Sequence, residues 1–169
     1  MKKIFKPLIL LFAYFLISNS VIAQKDSTTI VKKNVIYVQI FGLGGASINY
    51  DRVFLQKPKY KMAYRVGVES VTFIRKNDNR LVALGELNVL LGKQNHFFET
   101  GIGFNTIFPT TRSLFEINIG PNVGYRFQKV ESGCFFRVNI YPVGINITKS
   151  NQVVVGSWRS FGVSVGRSF

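Results

Sequence analysis

Apolar and polar residues alternate with a period of two along most of the chain after residue 33. In the clearest run, residues 115–127, the odd positions carry Phe, Ile, Val and Tyr with one Pro, and the even positions carry Glu, Asn, Gly and Arg. Successive side chains of a strand point to opposite faces, so this alternation predicts β-strands rather than helices. The same alternation recurs in residues 45–54, 61–74, 96–108, 134–145 and 157–169.

Two further runs, 35–42 and 81–91, alternate less cleanly. A helix stays open as an alternative for LVALGELNVLL, although Gly85 and its neighbours favour a strand. Glycine, proline and polar clusters mark seven breaks, at 42–45, 55–60, 75–80, 92–95, 109–113, 128–133 and 146–156. The pattern therefore predicts an all-β fold, an eight-stranded antiparallel up-and-down barrel in which chain neighbours pair.

The first 23 residues are organised like a secretory signal peptide. Lys2 and Lys3 precede an apolar run over 8–17, and small or short residues end at Ala23. A membrane anchor is the alternative, but the apolar run is short for a membrane span. We expect cleavage after Ala23, a flexible N-terminal tail over 24–33 and the barrel over 34–169.

The composition narrows the function classes. The chain has 22 Lys+Arg against 8 Asp+Glu, a net charge of +14, with one Cys and one His. A disulfide scaffold needs paired cysteines and a zinc site needs four ligands, so neither is expected, and no other cofactor is expected. For an exported basic chain, anionic lipid head groups are the expected partner and nucleic acid is not.

The two faces of the strands differ in size and polarity. One carries Phe, Tyr, Ile and Val, and the other carries Glu, Asn, Arg, Ser and Gly. Eight strands enclose just enough room for side chains, so the small, polar face suits the interior. The apolar face then requires lipid, which predicts a transmembrane barrel of the outer-membrane type. A soluble lipocalin-like barrel, with the aromatic face inside and a bound ligand, is the alternative.

Three segments carry a family resemblance: GLGGASINYDRVF (42–54), LLGKQNHFFETGIGF (90–104) and FFRVNIYPVGI (135–145). They resemble the small, mostly uncharacterised outer-membrane β-barrel proteins of Gram-negative bacteria, the OmpA/OmpX-like eight-stranded barrels. The resemblance implies the fold and a location in the outer membrane, and it implies no reaction.

The last strand resembles the signal that the outer-membrane insertion machinery reads. Its apolar face carries Phe161, Val163, Val165 and Phe169. Arg167 departs from the pattern, because an apolar residue is usual there. We expect Arg167 and Arg52 at the periplasmic rim, where both side chains reach head groups.

We expect the N-terminus to lie in the periplasm. We also expect the polar face of every strand to line the lumen. The charged residues expected there are Asp51, Arg65, Glu69, Glu86, Glu99, Glu116, Arg126 and Arg137. Hairpin midpoints place Asp51 opposite Arg65, and Asn105 opposite Glu116. They also place Glu69 near Glu86. Buried charges are normally paired, so a packed polar network is expected, with a narrow ion or proton path as the alternative.

Basic residues also fall in the expected outer loops: Arg75, Lys76, Arg80, Arg112, Lys149 and Arg159. Such a rim suits lipopolysaccharide phosphates, with ordinary solubilising charge as the alternative. Loop 146–156 is long enough for recognition, unless residues 153–155 extend a strand.

Catalysis is not expected. A lipid-modifying enzyme would need a catalytic group at the outer rim, but His96 is the only His and lies beside a periplasmic turn. We expect a monomeric integral outer-membrane protein with a structural or surface-interaction role.

Overall fold

The computed structural model describes residues 31–42, 45–70, 81–108, 116–148, 153–156 and 160–169. These residues form ten strand segments and no helix. The segments are β1 (Asn34–Ile40), β2 (Ala46–Gln56), β3 (Lys61–Ser70), β4 (Leu81–Lys93), β5 (His96–Ile107), β6 (Glu116–Gln128), β7 (Cys134–Tyr141), β8 (Gly144–Thr148), β9 (Val153–Gly156) and β10 (Ser160–Ser168). Within this part of the chain, no helix could cross a membrane. The predicted signal peptide, 1–23, lies outside the described residues.

The sheet closes on itself to form a barrel. Val35 of β1 pairs with Asp51 of β2 on one side and with Ser168 of β10 on the other. All pairings are antiparallel, and β7 and β8 both pair with β6, so they form one strand. Segments β9 and β10 likewise form the last strand, because β9 pairs with β8 and β10 pairs with β7. The predicted closed, eight-stranded antiparallel barrel is confirmed.

The break between β7 and β8 lies where prolines of two neighbouring strands meet. Pro121 of β6 and Pro142 have no N–H to donate, so the ladder cannot continue between them. The register shifts by one residue there, which is a β-bulge. A Cβ on Gly120 would clash with the carbonyl oxygen of Val143, so this close approach requires glycine.

The predicted outer loop 146–156 is largely strand. Ile145 of β8 pairs with Val155 of β9, and Ile147 pairs with Val153. The alternative in which residues 153–155 extend a strand is therefore confirmed, and the long recognition loop is wrong. The β-branched residues on both sides continue the ladder beyond the bulge. The run LVALGELNVLL is strand β4 and not a helix.

The polarity of the two faces follows the sequence pattern. Many inward-facing side chains are polar and buried, including Ser47, Asn49, Asn88, Asn122, Asn139 and Ser164. Large apolar side chains face outward, with Ile48 68% exposed and Ile102 62% exposed. A water-soluble barrel has the reverse arrangement, because burial of apolar surface is its main source of stability. The aromatic face lies outside, contrary to the lipocalin-like alternative.

The first and last described residues lie at one end of the barrel, which we call the terminal end. The backbone N–H of Asn34 donates to the carbonyl of Phe169 at 3.2 Å, and the N–H of Gln128 donates to the carbonyl of Asn95 at 2.8 Å. The short turns β2–β3, β4–β5 and β6–β7 lie at this end, and the opposite end is called the loop end.

Candidate functional site

Buried charges at mid-height of the lumen form one continuous network, centred on Glu86. Its Oε1 accepts a hydrogen bond from Arg65 and its Oε2 accepts one from Arg137, both at 2.7 Å. The Tyr141 hydroxyl donates to Oε1 at 2.5 Å, and the Asn88 amide donates to Oε2 at 3.1 Å. Four donors therefore offset the cost of removing this carboxylate from water.

The other half of the network is centred on Arg126. Its two terminal nitrogens donate to Asp51 at 3.0 and 2.9 Å, a bidentate pair. Gln128 Oε1 accepts from Nε at 3.1 Å and from Nη2 at 2.8 Å. Glu99 joins the halves, 2.6 Å from Arg137 and 3.8 Å from Arg126. Neither Glu99 oxygen has a hydrogen-bond partner of good geometry, so charge attraction is its main contact with the two arginines.

Cations and anions alternate along this network, and six strands supply one member each. The order is Asp51 (β2), Arg126 (β6), Glu99 (β5), Arg137 (β7), Glu86 (β4) and Arg65 (β3). Segment β1 adds Tyr37, whose hydroxyl accepts from Arg137 at 3.2 Å. The Tyr37 ring also lies 5.4 Å from the Arg65 guanidinium, at cation–π distance. Three of the five ion-pair contacts, Asp51–Arg126, Glu99–Arg137 and Arg137–Glu86, therefore join strands that are not neighbours.

The interior is balanced in charge over the described residues. The buried cations are Lys61, Arg65, Arg126 and Arg137, and the buried anions are Asp51, Glu69, Glu86 and Glu99. Lys61 lies 4.8 Å from the centre of the Phe97 ring, nearer the terminal end. Because the interior charges cancel, the excess positive charge of the chain lies elsewhere.

Most of the predicted lumen residues lie where the alternation places them. Glu116 is the exception, since it is only half-buried at the loop-end start of β6. Asp51 lies opposite Arg65, as predicted. The predicted pairing of Asn105 with Glu116 is wrong, because Asn105 lies opposite Asn118. Glu69 lies opposite Val82, although Glu69 and Glu86 line the same small cavity. Glu86 instead lies opposite Arg65.

The other candidate residues lie on the outside or beyond the described ranges. His96 is exposed at the terminal end, where its Nδ1 lies 2.6 Å from the Tyr125 hydroxyl. Cys134 is a free, exposed thiol. The described residues contain no group of three potential metal ligands. Phe161, Val165 and Phe169 of the last strand are exposed, and Val163 is half-buried. The predicted outer rim lies outside the described residues: Arg75, Lys76, Arg80, Arg112, Lys149 and Arg159.

An apolar layer lies between the charged network and the terminal end, and Val31 is part of it. Val31 is 1% exposed and packs in a cluster with Val53, Ala63, Leu90 and Phe97. The Gln56 amide accepts from the Val31 N–H and donates to its carbonyl, both at 3.1 Å. Residues 31–33 were predicted to belong to the flexible tail, but they are anchored in the barrel mouth.

The amide of Gln128 connects this anchored segment to the charged network. Its Nε2 donates to the Lys32 carbonyl at 2.8 Å, while its Oε1 accepts from Arg126.

A small cavity lies toward the loop end, lined in part by Gln39, Glu69 and Asn105. The space open to the centre of a water molecule there is about 20 Å³, enough for one or two waters.

We expect Val31→Ala to lower the free energy of unfolding by about 1–2 kcal/mol, because it removes buried methyl groups and leaves a cavity. Urea titration of the refolded protein measures this difference. Lys33→Ala is the matched control, since the Lys33 side chain is exposed and its loss should cost no more than about 0.5 kcal/mol. Equal effects of the two substitutions would show that Val31 leaves the barrel mouth in solution.

Sequence reasoning missed several members of the site. Lys61, Tyr37 and Tyr141 face inward by the same alternation as the predicted charges, so this signal was present. Val31 had no such signal, because it precedes the first strand.

Comparison of the chain with protein-family models, with curated proteins and with solved structures gives no match.

Proposed function

We propose that the chain is an integral outer-membrane β-barrel protein with a structural or surface-interaction role. The observation that carries the proposal is the polarity of the barrel, with charged side chains buried inside and large apolar side chains exposed outside. Lipid is the solvent that suits such an outer wall, and closure leaves no sheet edge unsatisfied in hydrocarbon.

Aromatic side chains at both ends of the outer wall support a membrane-spanning position. Near the terminal end, the Tyr64 ring lies 6.4 Å from Tyr50 and 6.3 Å from Phe54. At the loop end, the Phe41 and Phe161 rings are 5.4 Å apart. Membrane barrels carry aromatic girdles at the two interfaces of an apolar band roughly 25 Å tall.

In this proposal the terminal end faces the periplasm, because outer-membrane barrels have short periplasmic turns and longer outer loops. The predicted basic outer loops would then meet lipopolysaccharide. We expect no catalysis and no open channel, since the charged network occupies mid-lumen and the anchored Val31 segment occupies the terminal mouth. A single chain suffices, because the barrel closes on itself.

The first experiment compares boiled and unboiled membrane-extracted protein by SDS gel electrophoresis. A closed barrel keeps its hydrogen-bonded ladder in cold SDS and migrates differently once heat opens it, so we expect a mobility shift. The same sample is fractionated, and the protein should remain with the outer membrane. An unshifted band together with release into the soluble periplasm would overturn the proposal.

A further inference from the structure

Among the described residues, exposed positive charge is concentrated on the surface near the terminal end. Among the described residues, Glu131 is the one exposed Asp or Glu, because Asp51, Glu69, Glu86 and Glu99 are buried and Glu116 is half-buried. All exposed Lys and Arg of the described residues lie at the terminal end: Lys33, Arg52, Lys57, Lys59, Lys93, Lys129 and Arg167. We call this set the basic belt.

Two arginines of the basic belt lie on the outer wall rather than in the turns. Arg52 pairs with Asn34 of β1 on one side and with Tyr64 of β3 on the other. It lies within the aromatic cluster of Tyr50, Tyr64 and Phe54. Arg52 is therefore flanked by rings of the kind that occupy the level of lipid head groups.

Arg167 occupies the corresponding position on the other side of β1. It pairs with Ile36 of β1 and with Cys134 of β7. Its outward neighbours along the chain are Val165 and Phe169, both exposed. One strand thus separates two exposed guanidinium groups, each set among apolar or aromatic side chains on the outer wall.

We propose that Arg52 and Arg167 bind the phosphate groups of anionic phospholipids in the membrane leaflet that surrounds the terminal end. This inference rests on the proposed function, which supplies the membrane. Guanidinium groups bind phosphate oxygens through two parallel N–H bonds, and attraction to an anionic membrane surface adds to that affinity. Among the described residues, Glu131 is the one exposed carboxylate at this end, so few side chains compete with phosphate for the two arginines.

The position of the arginines favours lipid over the anionic cell-wall polymer as the partner. A polymer in the periplasm would meet the turn tips first, where Lys57 and Lys59 lie. These turns are short, and the β4–β5 turn consists of Gln94 and Asn95 alone, so they offer little surface for a macromolecule. The two arginines, by contrast, point from the wall toward surrounding lipid.

The test refolds the full mature chain into vesicles of phosphatidylcholine and phosphatidylglycerol at a ratio of about 4:1, a composition that supplies the anionic surface required. After mild detergent extraction, mass spectrometry measures the ratio of the two lipids that remain bound. We expect phosphatidylglycerol to be enriched over the bulk ratio with the wild-type protein. The double substitution Arg52→Gln and Arg167→Gln should remove this enrichment. Each arginine that is lost should lower the affinity for the anionic lipid roughly fivefold.

The matched control is Lys57→Gln with Lys59→Gln, which removes the same charge from the turn tips. We expect it to keep enrichment within about twofold of wild type, because those side chains lie beyond the wall. Equal losses in both pairs, or no enrichment with wild type, would overturn the inference. Binding to isolated cell-wall sacculi that only the lysine pair abolishes would assign the basic belt to the polymer instead.

Failure of the proposed function has a different outcome. A chain that is not a membrane barrel would show no heat-dependent mobility shift in vesicles of either lipid. A chain that shifts in both but binds no excess phosphatidylglycerol is a membrane barrel without this lipid site.

Discussion

Replacing Glu86 by glutamine is expected to lower the free energy of unfolding by about 3–5 kcal/mol, the range for breaking a buried ion pair from one side. The substitution keeps the size of the side chain but removes the charge between Arg65 and Arg137, which lie 2.7 Å from its two oxygens. Arg137 keeps its ion pair with Glu99. Among the described residues, Glu86 is the one carboxylate that forms an ion pair with Arg65. The nearest remaining carboxylate is then Asp51, which lies opposite Arg65 but is already held by Arg126.

Urea titration of refolding into vesicles, followed by cold-SDS mobility, measures the effect of Glu86→Gln. Glu131→Gln is the control, because it makes the same chemical change at an exposed turn position and should alter stability by no more than about 0.5 kcal/mol. Similar small effects of both substitutions would mean that water screens the network, and the packed-interior description would be wrong.

Replacing Ile102 by arginine is expected to destabilise the barrel in a membrane by about 2–4 kcal/mol, the cost of a lipid-facing cation near the bilayer midplane. Ile102 lies midway along β5, pairs with Leu87 and Pro121, and is 62% exposed on the outer wall. The same substitution on a water-facing wall would cost almost nothing, since exposed positions usually tolerate polar residues.

Leu91→Arg provides the depth control for Ile102→Arg. Leu91 faces outward on β4 and pairs with Phe98, close to the turn at the terminal end. A cation near the interface costs about 0–1 kcal/mol, so we expect the Leu91 variant to refold almost as well as wild type. Equal, negligible effects at both positions would show that water surrounds the wall and would contradict the membrane proposal.

The alternation of residue types was sufficient to predict the strands and their faces, because a strand has a period of two whatever its neighbours are. Pairing was predictable only across turns whose centre was known. Asp51 opposite Arg65 follows from the short turn at Lys57–Tyr60. Glu69 opposite Val82 was missed, because the centre of the longer connection over 71–80 cannot be read from composition.

Contacts across the lumen were beyond sequence reasoning for a different reason. Arg126 and Asp51 are 75 positions apart in the chain. They meet because the barrel radius and strand stagger bring β6 and β2 together. Local patterns contain neither quantity. The anchored Val31 was missed for a related reason, since its binding site combines residues from four segments of the chain.

The order of charges in the lumen has a consequence for cooperativity. Successive members of the network come from β2, β6, β5, β7, β4 and β3, so a partly assembled sheet holds several charges whose partners belong to strands not yet in place. Hydrocarbon penalises such unpaired charges heavily, whereas the closed barrel pairs them all. In the membrane position proposed above, partial insertion would therefore be disfavoured, and closure of the barrel would be coupled to its entry into the membrane.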